Sequence, residues 1–464
     1  MSYWVREGGR RKRREPGPLH SLTVLVALLV TAACVLSLVT DVDLGVLTQL
    51  PLSRRRVYYV TSTGEVPLGQ VLAVWRFGRL RVYKTVLGPS EVVEVARRAL
   101  GVYSPSQHEV SVMESPYTVF TSAGEVKTDV KQWHRRTDRW TGSGIVVCVI
   151  DTGIDYLHPD FFRSDGSSVI RALVSMFYIS HDETYLVWIP GVNGTLEEAW
   201  RLEQELYNTY GIYAWMDDNG HGTHVAGIIA SQGNMGYRGL APGVSLVVVR
   251  AFDRLGVASM DTVLEALEWV YNNTSRFKIR VVNLSWGSPG DNRGLDPVSL
   301  VIDYMTDTLG IVFVAAAGNS GNMPFTINIP ACARRAIAVG AFDPAAMKLA
   351  EFSSFGTTVD LRLKPDFIAA GVDIISCKPV TVKSYIEQHY PEVVYNKYYM
   401  VLSGTSMAAP CVSAVAAAYA EMLLAHATKP TYTVLLETLV ENTVRLNKVG
   451  KDFVSGWGAP VIRA

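Results

Sequence analysis

Three short stretches of this chain carry side chains that together could cleave an acyl bond. Val146-Val147-Cys148-Val149-Ile150-Asp151-Thr152-Gly153 is an apolar run that ends on a carboxylate. It sets Asp151 at the C-terminal end of a buried strand, where open α/β sheets present their ligand-facing groups. An acid there is costly unless it has partners. Asn219-Gly220-His221-Gly222-Thr223-His224-Val225-Ala226-Gly227 flanks an imidazole with glycines and continues as an apolar helical run. Glycine allows close backbone approach, so His221 can reach outward from a helix start. Leu402-Ser403-Gly404-Thr405-Ser406-Met407-Ala408-Ala409-Pro410 opens an Ala-rich helix on a serine. Free N–H groups at a helix N-terminus suit a serine whose attack generates an oxyanion. A serine hydroxyl is a poor nucleophile until a base takes its proton, and a carboxylate orients and stabilises the resulting imidazolium. A fourth stretch, Val314-Ala315-Ala316-Ala317-Gly318-Asn319-Ser320-Gly321, supplies a side-chain amide able to donate to that oxyanion. Each stretch alone has a plain reading: a strand-end Asp, a helix-cap Ser, a turn Asn. His221 and His224 lie three apart, but no third ligand and no HExxH accompany them, so His224 reads as a structural histidine within the helix.

Order adds what the single stretches lack. Acid, then histidine, then serine is the order of the subtilisin arrangement. It differs from the Ser-Asp-His of α/β-hydrolases and the His-Asp-Ser of chymotrypsin-type enzymes. Ala408 also stands where a G-x-S-x-G elbow would need its second glycine. On Val149–Asp155 with His158-Pro159-Asp160, Gly220–Gly227, Ala317-Gly318-Asn319 and Gly404–Pro410, the chain closely resembles the subtilisin-like serine protease family, over roughly residues 130 to 462. The resemblance implies a serine endopeptidase with Asp151, His221 and Ser406 as its triad, Asn319 as oxyanion donor, and no cofactor in the chemistry. It implies that Ser285-Trp286-Gly287 and Ala315-Ala316-Ala317 wall the pocket for the residue before the scissile bond. Val257-Ala258-Ser259 would be the edge strand on which an extended polypeptide substrate pairs. Ser320 stands where some relatives carry an acid, so an apolar or aromatic residue is the expected occupant of that pocket. Structural calcium is common in the family, and Asp160 with Asn234 of the Gln232–Gly236 loop are the candidate ligands. Few oxygen donors accompany them.

These residues need a scaffold. Ile145–Ile150, Leu246–Ala251, Arg280–Leu284, Ile311–Ala316 and Ala336–Val339 are short, almost wholly apolar runs, as in parallel strands buried on both faces. Helical patterns at Thr262–Asn273 and Ala408–Leu424 alternate with them. The expected fold is therefore α/β, a doubly wound parallel sheet with helices on both faces over residues 144–464. Residues 54–120 read as a small α+β unit with the position and size of the family's propeptide, and 121–143 as an exposed connector. Self-cleavage is expected within Thr121–Gln132. Two stretches exceed the compact family pattern: Ser164–Ala214 and Pro379–Tyr399, the second with five tyrosines. They read equally as lids over the substrate or as surface elaboration.

Composition sets the outer bounds. The 464 residues are 48% hydrophobic with formal net charge zero, so a large core is available and nothing global points to nucleic acid. Positive charge gathers in residues 1–21, ahead of an uncharged apolar run at 22–40. That pattern predicts a single-pass anchor with the remainder outside the cell membrane, or a cleaved signal peptide and a secreted product. The five cysteines, Cys34, Cys148, Cys332, Cys377 and Cys411, are widely spaced and contain no CxxC. Cys332 with Cys377 is the one pair that an exported chain could join.

Overall fold

The computed structural model describes residues 3–7, 10–14, 56–64, 68–104, 110–112, 129–135, 137–179, 185–321, 323–446 and 450–463. The apolar run at 22–40 lies outside them. Strands β1 (Arg56–Ser62), β2 (Gln70–Phe77), β3 (Leu80–Leu87) and β4 (Gly101–Tyr103), with helix α1 (Pro89–Ala96), form an antiparallel sheet of order β2-β3-β1-β4. Strand alternation splits its side chains between two faces. Tyr58, Val60, Tyr83, Leu87 and Val102 pack on Val92 and Val95 of α1. Tyr59, Trp75, Phe77, Leu80 and Val82 face the other way, into the core of the larger body. Strand β5 (Val110–Val112), expected to belong to this unit, pairs instead with strands of the body.

The segment expected to be an exposed connector is docked from Asp129 onward. Asp129 caps helix α2 (Val130–His134), and Val130 and His134 are buried. His134 donates from Nδ1 to the Pro460 carbonyl (2.8 Å), and its Nε2 accepts from the Ala370 N–H (3.0 Å), which fixes the tautomer. The Arg135 guanidinium donates to the carbonyls of Leu240 and Thr137.

The body is built on nine strands. After β6 (Val146–Asp151), β7 (Ile170–Ile179), β8 (Tyr185–Trp188), helix α3 (Leu196–Tyr210) and helix α4 (His221–Ala230) come β9 (Ser245–Arg250), the short β10 (Val257–Ala258) and helix α5 (Met260–Phe277). Next are β11 (Ile279–Leu284), β12 (Trp286–Gly287), helix α6 (Pro297–Leu309), β13 (Val312–Ala316), β14 (Ile337–Asp343), β15 (Lys348–Leu349) and β16 (Phe367–Ala370). The main sheet runs β8-β7-β9-β6-β11-β13-β14, with β15 and β16 both on β14. Every pair is parallel except β8 with β7 and β15 with β14, so the expected parallel sheet carries antiparallel strands at its margins. Strand β17 (Ile374–Cys377), helix α7 (Tyr385–His389), strand β18 (Tyr399–Leu402) and helices α8 (Thr405–Ala425) and α9 (Tyr432–Glu441) complete it.

Both faces of the sheet are covered, which is why its strands read as continuous apolar runs. Cys148, Ile150, Val247, Val249 and Phe313 face α5 and α6. Val147, Val149, Leu246, Val248 and Val314 face α4 and α8. Helix α8 has the length and hydropathy to cross a membrane, yet it is a buried core helix of the body. Cys148, Cys332, Cys377 and Cys411 are free and buried. Cys332 lies against Ser299 and Asp296, and Cys377 against Asp160, so the one pairing considered from sequence does not form.

Candidate active site

Strand β6 delivers Asp151, and helix α4 begins on His221. His221 Nδ1 donates to Asp151 Oδ1 at 2.8 Å, with both side chains fully buried. The same oxygen accepts from the Thr152 N–H at 2.8 Å. A proton fixed on Nδ1 turns Nε2 into the basic end of the ring. The glycines around His221 have separate causes. Gly220 has φ +114° and is the helix N-cap. Gly222 lies so close to the end of β6 that a Cβ would stand 2.2 Å from the Gly153 carbonyl oxygen. His224 donates from Nε2 to the Ile374 carbonyl, and burial pushes it down to about 3, so it is a neutral structural histidine.

One acid was not singled out from the sequence. Asp217, buried, accepts from Thr152 Oγ1 (2.8 Å), Gly220 N (2.7 Å), Thr223 N (2.7 Å) and Thr223 Oγ1 (2.6 Å). It ties the end of β6 to the first turn of α4. Burial pushes its carboxyl above the ordinary range, and the Thr223, Gly220 and Thr152 donors oppose that rise. Its signal in the sequence is only an Asp four residues before a Gly-flanked His.

Ser406 lies in the first turn of α8, fully buried. Its Oγ donates to the Ser285 carbonyl (2.8 Å), and Ser285 Oγ donates to the Ser406 carbonyl (2.9 Å). Behind them Ser413 Oγ donates to Asn283 Oδ1 and Asn283 Nδ2 to Ser285 Oγ, a buried chain that fixes β11 against α8. Asn319 Oδ1 accepts from Thr405 N (3.0 Å) and Thr405 Oγ1 (2.8 Å). This holds Asn319 beside the residue that precedes Ser406 and turns its amide NH2 away from Thr405. Asp151 is joined to His221 of α4, and Asn319 to Thr405 beside Ser406 of α8, and α4 packs on α8. The arrangement offers a base, a hydroxyl and an amide donor.

Beside this cluster runs a groove with a strand already in it. β5 lies between β10 and β12, antiparallel to both: Val110 opposite Ala258, Ser111 opposite Val257 and Gly287, and Val112 opposite Trp286. Val257 and Ala258, expected as an edge strand, form strand β10. Ser259 departs from it, because it is the N-cap of α5 and accepts from the Thr262 N–H. The expected second wall also divides. Ala315 and Ala317 share the core cluster of Trp286, whereas the Ala316 side chain faces α8. Only the backbone of Ala316 can serve that wall. Trp286 donates from Nε1 to the Ile150 carbonyl (2.9 Å) and is fixed.

The calcium expectation is not met by the donor set. Asp160 Oδ1 accepts from the Met235 N–H (2.8 Å), and Oδ2 from Tyr399 Oη (2.5 Å) and Ser231 Oγ (3.1 Å). The Asn234 amide turns its nitrogen inward and donates to the carbonyls of Pro159 and Phe162. Donors therefore face the oxygens that a hard cation would require. The neighbouring His158, Asp160 and Cys377 are close enough to share a metal, but His158 Nδ1 accepts from the Asp160 N–H and its Nε2 donates to the Tyr398 carbonyl. Chelation should leave the thermal unfolding midpoint where calcium leaves it. Tyr399→Phe should cost about 1–3 kcal/mol by leaving a buried carboxylate short of a donor. A calcium-dependent rise in the midpoint that disappears in Asp160→Asn would show that the carboxylate holds an ion instead.

Comparisons with known proteins identify the family. The subtilase family model matches residues 142–458. The chain is 32% identical over 373 residues to serine protease AprX of Bacillus subtilis, covering 77% of this chain and 75% of AprX. It is 33% identical to Subtilisin Savinase of Lederbergia lenta, over 60% of this chain and 76% of that protein. The solved CspB protease of Clostridium perfringens shares the fold at 19% identity, TM-score 0.58, over 72% of this chain and 95% of that one. With more than half of its length matched by the family model, this chain belongs to the subtilase family.

Proposed function

We propose that the chain is a serine endopeptidase that cuts polypeptides through an acyl-enzyme on Ser406. The observation that carries this is the 2.8 Å bond to Asp151 Oδ1 from Nδ1 of His221 on helix α4, which packs against the helix α8 that carries Ser406. Ser406 Oγ attacks the substrate carbonyl as His221 Nε2 takes its proton, and Asp151 stabilises the imidazolium. The carbonyl oxygen becomes an oxyanion held by the Asn319 amide. His221 then protonates the departing amine, and water repeats the sequence to release the acid. No metal or organic cofactor enters these steps. Labelling by a fluorophosphonate probe, present in the wild type and lost in Ser406→Ala, is the expected result. A folded, mature wild type that takes no label would end the proposal and favour a binding role on an inactive fold.

The same reading assigns the N-terminal unit. β5 is held as an extended substrate would be, with main-chain pairing on both sides. We read residues 56–112 as an inhibitory prosegment whose C-terminal strand fills the groove. In the β5–β12 register, Gly287 opposes Ser111 and Trp286 opposes Val112, and Ser285 is the residue that precedes Trp286. Ser285 is the residue that bonds Ser406 Oγ. We propose cleavage at Met113–Glu114, the first bond wholly past the last described residue of β5, upstream of the expected Thr121–Gln132 region. Met113 lies outside the described residues, so the register of its neighbours supports the assignment. Methionine also fits the apolar preference inferred for the pocket. Cleavage profiling of a peptide library should return apolar or aromatic residues, methionine among them, before the scissile bond. A profile dominated by Lys or Arg would refute that preference. The apolar run at 22–40 supports an anchor that keeps the protease on the outer face of the cell membrane.

A further inference from the structure

Both stretches that exceed the compact family pattern end on one short segment, Trp215–Asn219, which leads directly into His221. From the first, Glu203 of α3 is fully buried, and its Oε1 accepts from Trp215 N (2.5 Å) and Met216 N (2.6 Å). Its Oε2 accepts from Tyr156 Oη (2.5 Å), on the stretch that follows Asp151. From the second, the first two N–H groups of α7 donate to the same segment: Tyr385 N to the Asp218 carbonyl (2.7 Å) and Ile386 N to the Asn219 carbonyl (3.0 Å). The foot of that second stretch is also fixed. Asp155 accepts from Val380 N (2.7 Å), Thr381 N (2.9 Å) and Thr381 Oγ1 (2.8 Å). Its far side reaches the groove, where Gln388 Oε1 accepts from Arg254 Nη2 (2.9 Å) and Asn219 Nδ2 donates to the Arg254 carbonyl (3.0 Å).

A lid would be free to open, and a surface elaboration would pack on itself. The first stretch does pack in part on its own aromatics, with Tyr213 stacked on Trp200 and Tyr207, yet the buried polar groups of both stretches are spent on backbone groups two to six residues before His221. An unmade buried hydrogen bond costs more than a made one gains, so these bonds hold the segment in one conformation. We propose that the two inserted stretches are a two-sided brace that positions His221, with Glu203 on one side and the N-terminus of α7 on the other. Asn219 passes the constraint on, since its Oδ1 accepts from the His221 N–H at 3.0 Å. Glu203 and Tyr385 are then positioning residues, acting on the reaction through the imidazole. The inference rests on His221 as the general base.

Tyr385 is the first residue of α7, after the cap Ser384 at φ −73°, ψ 158°. Proline fits that helix position and that preceding backbone, so Tyr385→Pro removes one N–H with little other change. Mature enzyme would be counted by fluorophosphonate titration and assayed on a peptide anilide with Met before the scissile bond. Tyr385→Pro should lower kcat on the order of 10-fold, the loss of one hydrogen bond's worth of orientation, with KM unchanged. Its acid limb should move to lower pH, because a misaligned imidazolium loses part of its contact with Asp151. Tyr385→Ala, which keeps the N–H, should behave as wild type. On the other side Glu203→Leu should show the same kcat loss, and Glu203→Gln, which keeps an acceptor for both N–H groups, should restore it. Wild-type kcat and pH profile in folded Tyr385→Pro, or equal activity in Glu203→Leu and Glu203→Gln, would overturn the brace. An inactive, unlabelled wild type would instead strike at the role of Ser406.

Discussion

Ser406→Ala should accumulate as the uncut chain, while the wild type yields a new N-terminus at Glu114. The expectation combines two independent observations. Ser406 Oγ bonds the Ser285 carbonyl, and Val112, the last described residue of β5, pairs with Trp286 next to Ser285. If the strand in the groove is the first substrate, its cleavage requires the same hydroxyl as any later one. Removing that hydroxyl should lower turnover of peptide substrates by about 10^6-fold, the scale that subtilisin itself shows when its serine or histidine is lost. It should do so without loosening the fold. The Ser285 Oγ bond runs to the backbone carbonyl of residue 406, and the alanine keeps it. The stability of Ser406→Ala should therefore match the wild type within the ±0.5 kcal/mol of a neutral change. N-terminal sequencing and the mass of the two products test the position. A mature N-terminus beginning between Thr121 and Gln132 in the wild type, with none at Glu114 at early times, would reject the register argument. Cleavage of Ser406→Ala at the wild-type rate in the absence of other proteases would reject the nucleophile.

A cut at that bond need not free the groove at once. Tyr59 Oη and Lys84 Nζ both reach Asp261 of α5 at 2.5 Å, and the Arg76 N–H donates to Glu268 at 2.6 Å. Five apolar side chains of the unit are shared with the body's core. The severed unit should stay bound as an inhibitor until these contacts are lost.

What the sequence made legible follows from which constraints are local. Continuous apolar runs located β6, β9, β11, β13 and β14, because burial on both faces leaves no polar alternation. Gly222 was readable as functional because its missing Cβ is demanded by the Gly153 carbonyl. The remainder depended on partners far along the chain. Ser259 looked like a strand residue beside Val257 and Ala258, but a serine three residues before Thr262 caps a helix just as well, and the helix prevails. Ala316 looked equivalent to its neighbours until strand alternation sent it to the opposite face. Asp160 matched a calcium ligand by position, and its true partner is a tyrosine 239 residues later. Glu203 and Asp217 carried no motif at all. Their meaning lies in backbone N–H groups that only the folded chain brings within reach.

Asn319→Leu should lower kcat by ~100- to 1000-fold, about 2.7–4 kcal/mol of transition-state stabilisation, the cost that removal of the corresponding amide has in subtilisin. KM should barely move, because the donor is aimed at charge that exists only after attack. A competing explanation has to be separated. Asn319 Oδ1 accepts from Thr405 N and Thr405 Oγ1, so leucine also releases the residue next to Ser406, and lost positioning alone could slow the reaction. Asn319→Asp distinguishes the two. Aspartate keeps an oxygen for both Thr405 donors and loses only the NH2, while placing negative charge where the oxyanion forms. If Asn319 acts chiefly by holding the start of α8, Asn319→Asp should approach wild-type kcat and Asn319→Leu should not. If it acts by donating to the oxyanion, both variants fall, and the aspartate falls at least as far as the leucine. The second pattern is the expected one. The Thr405 bonds explain why the amide is oriented, and the missing N–H explains the loss.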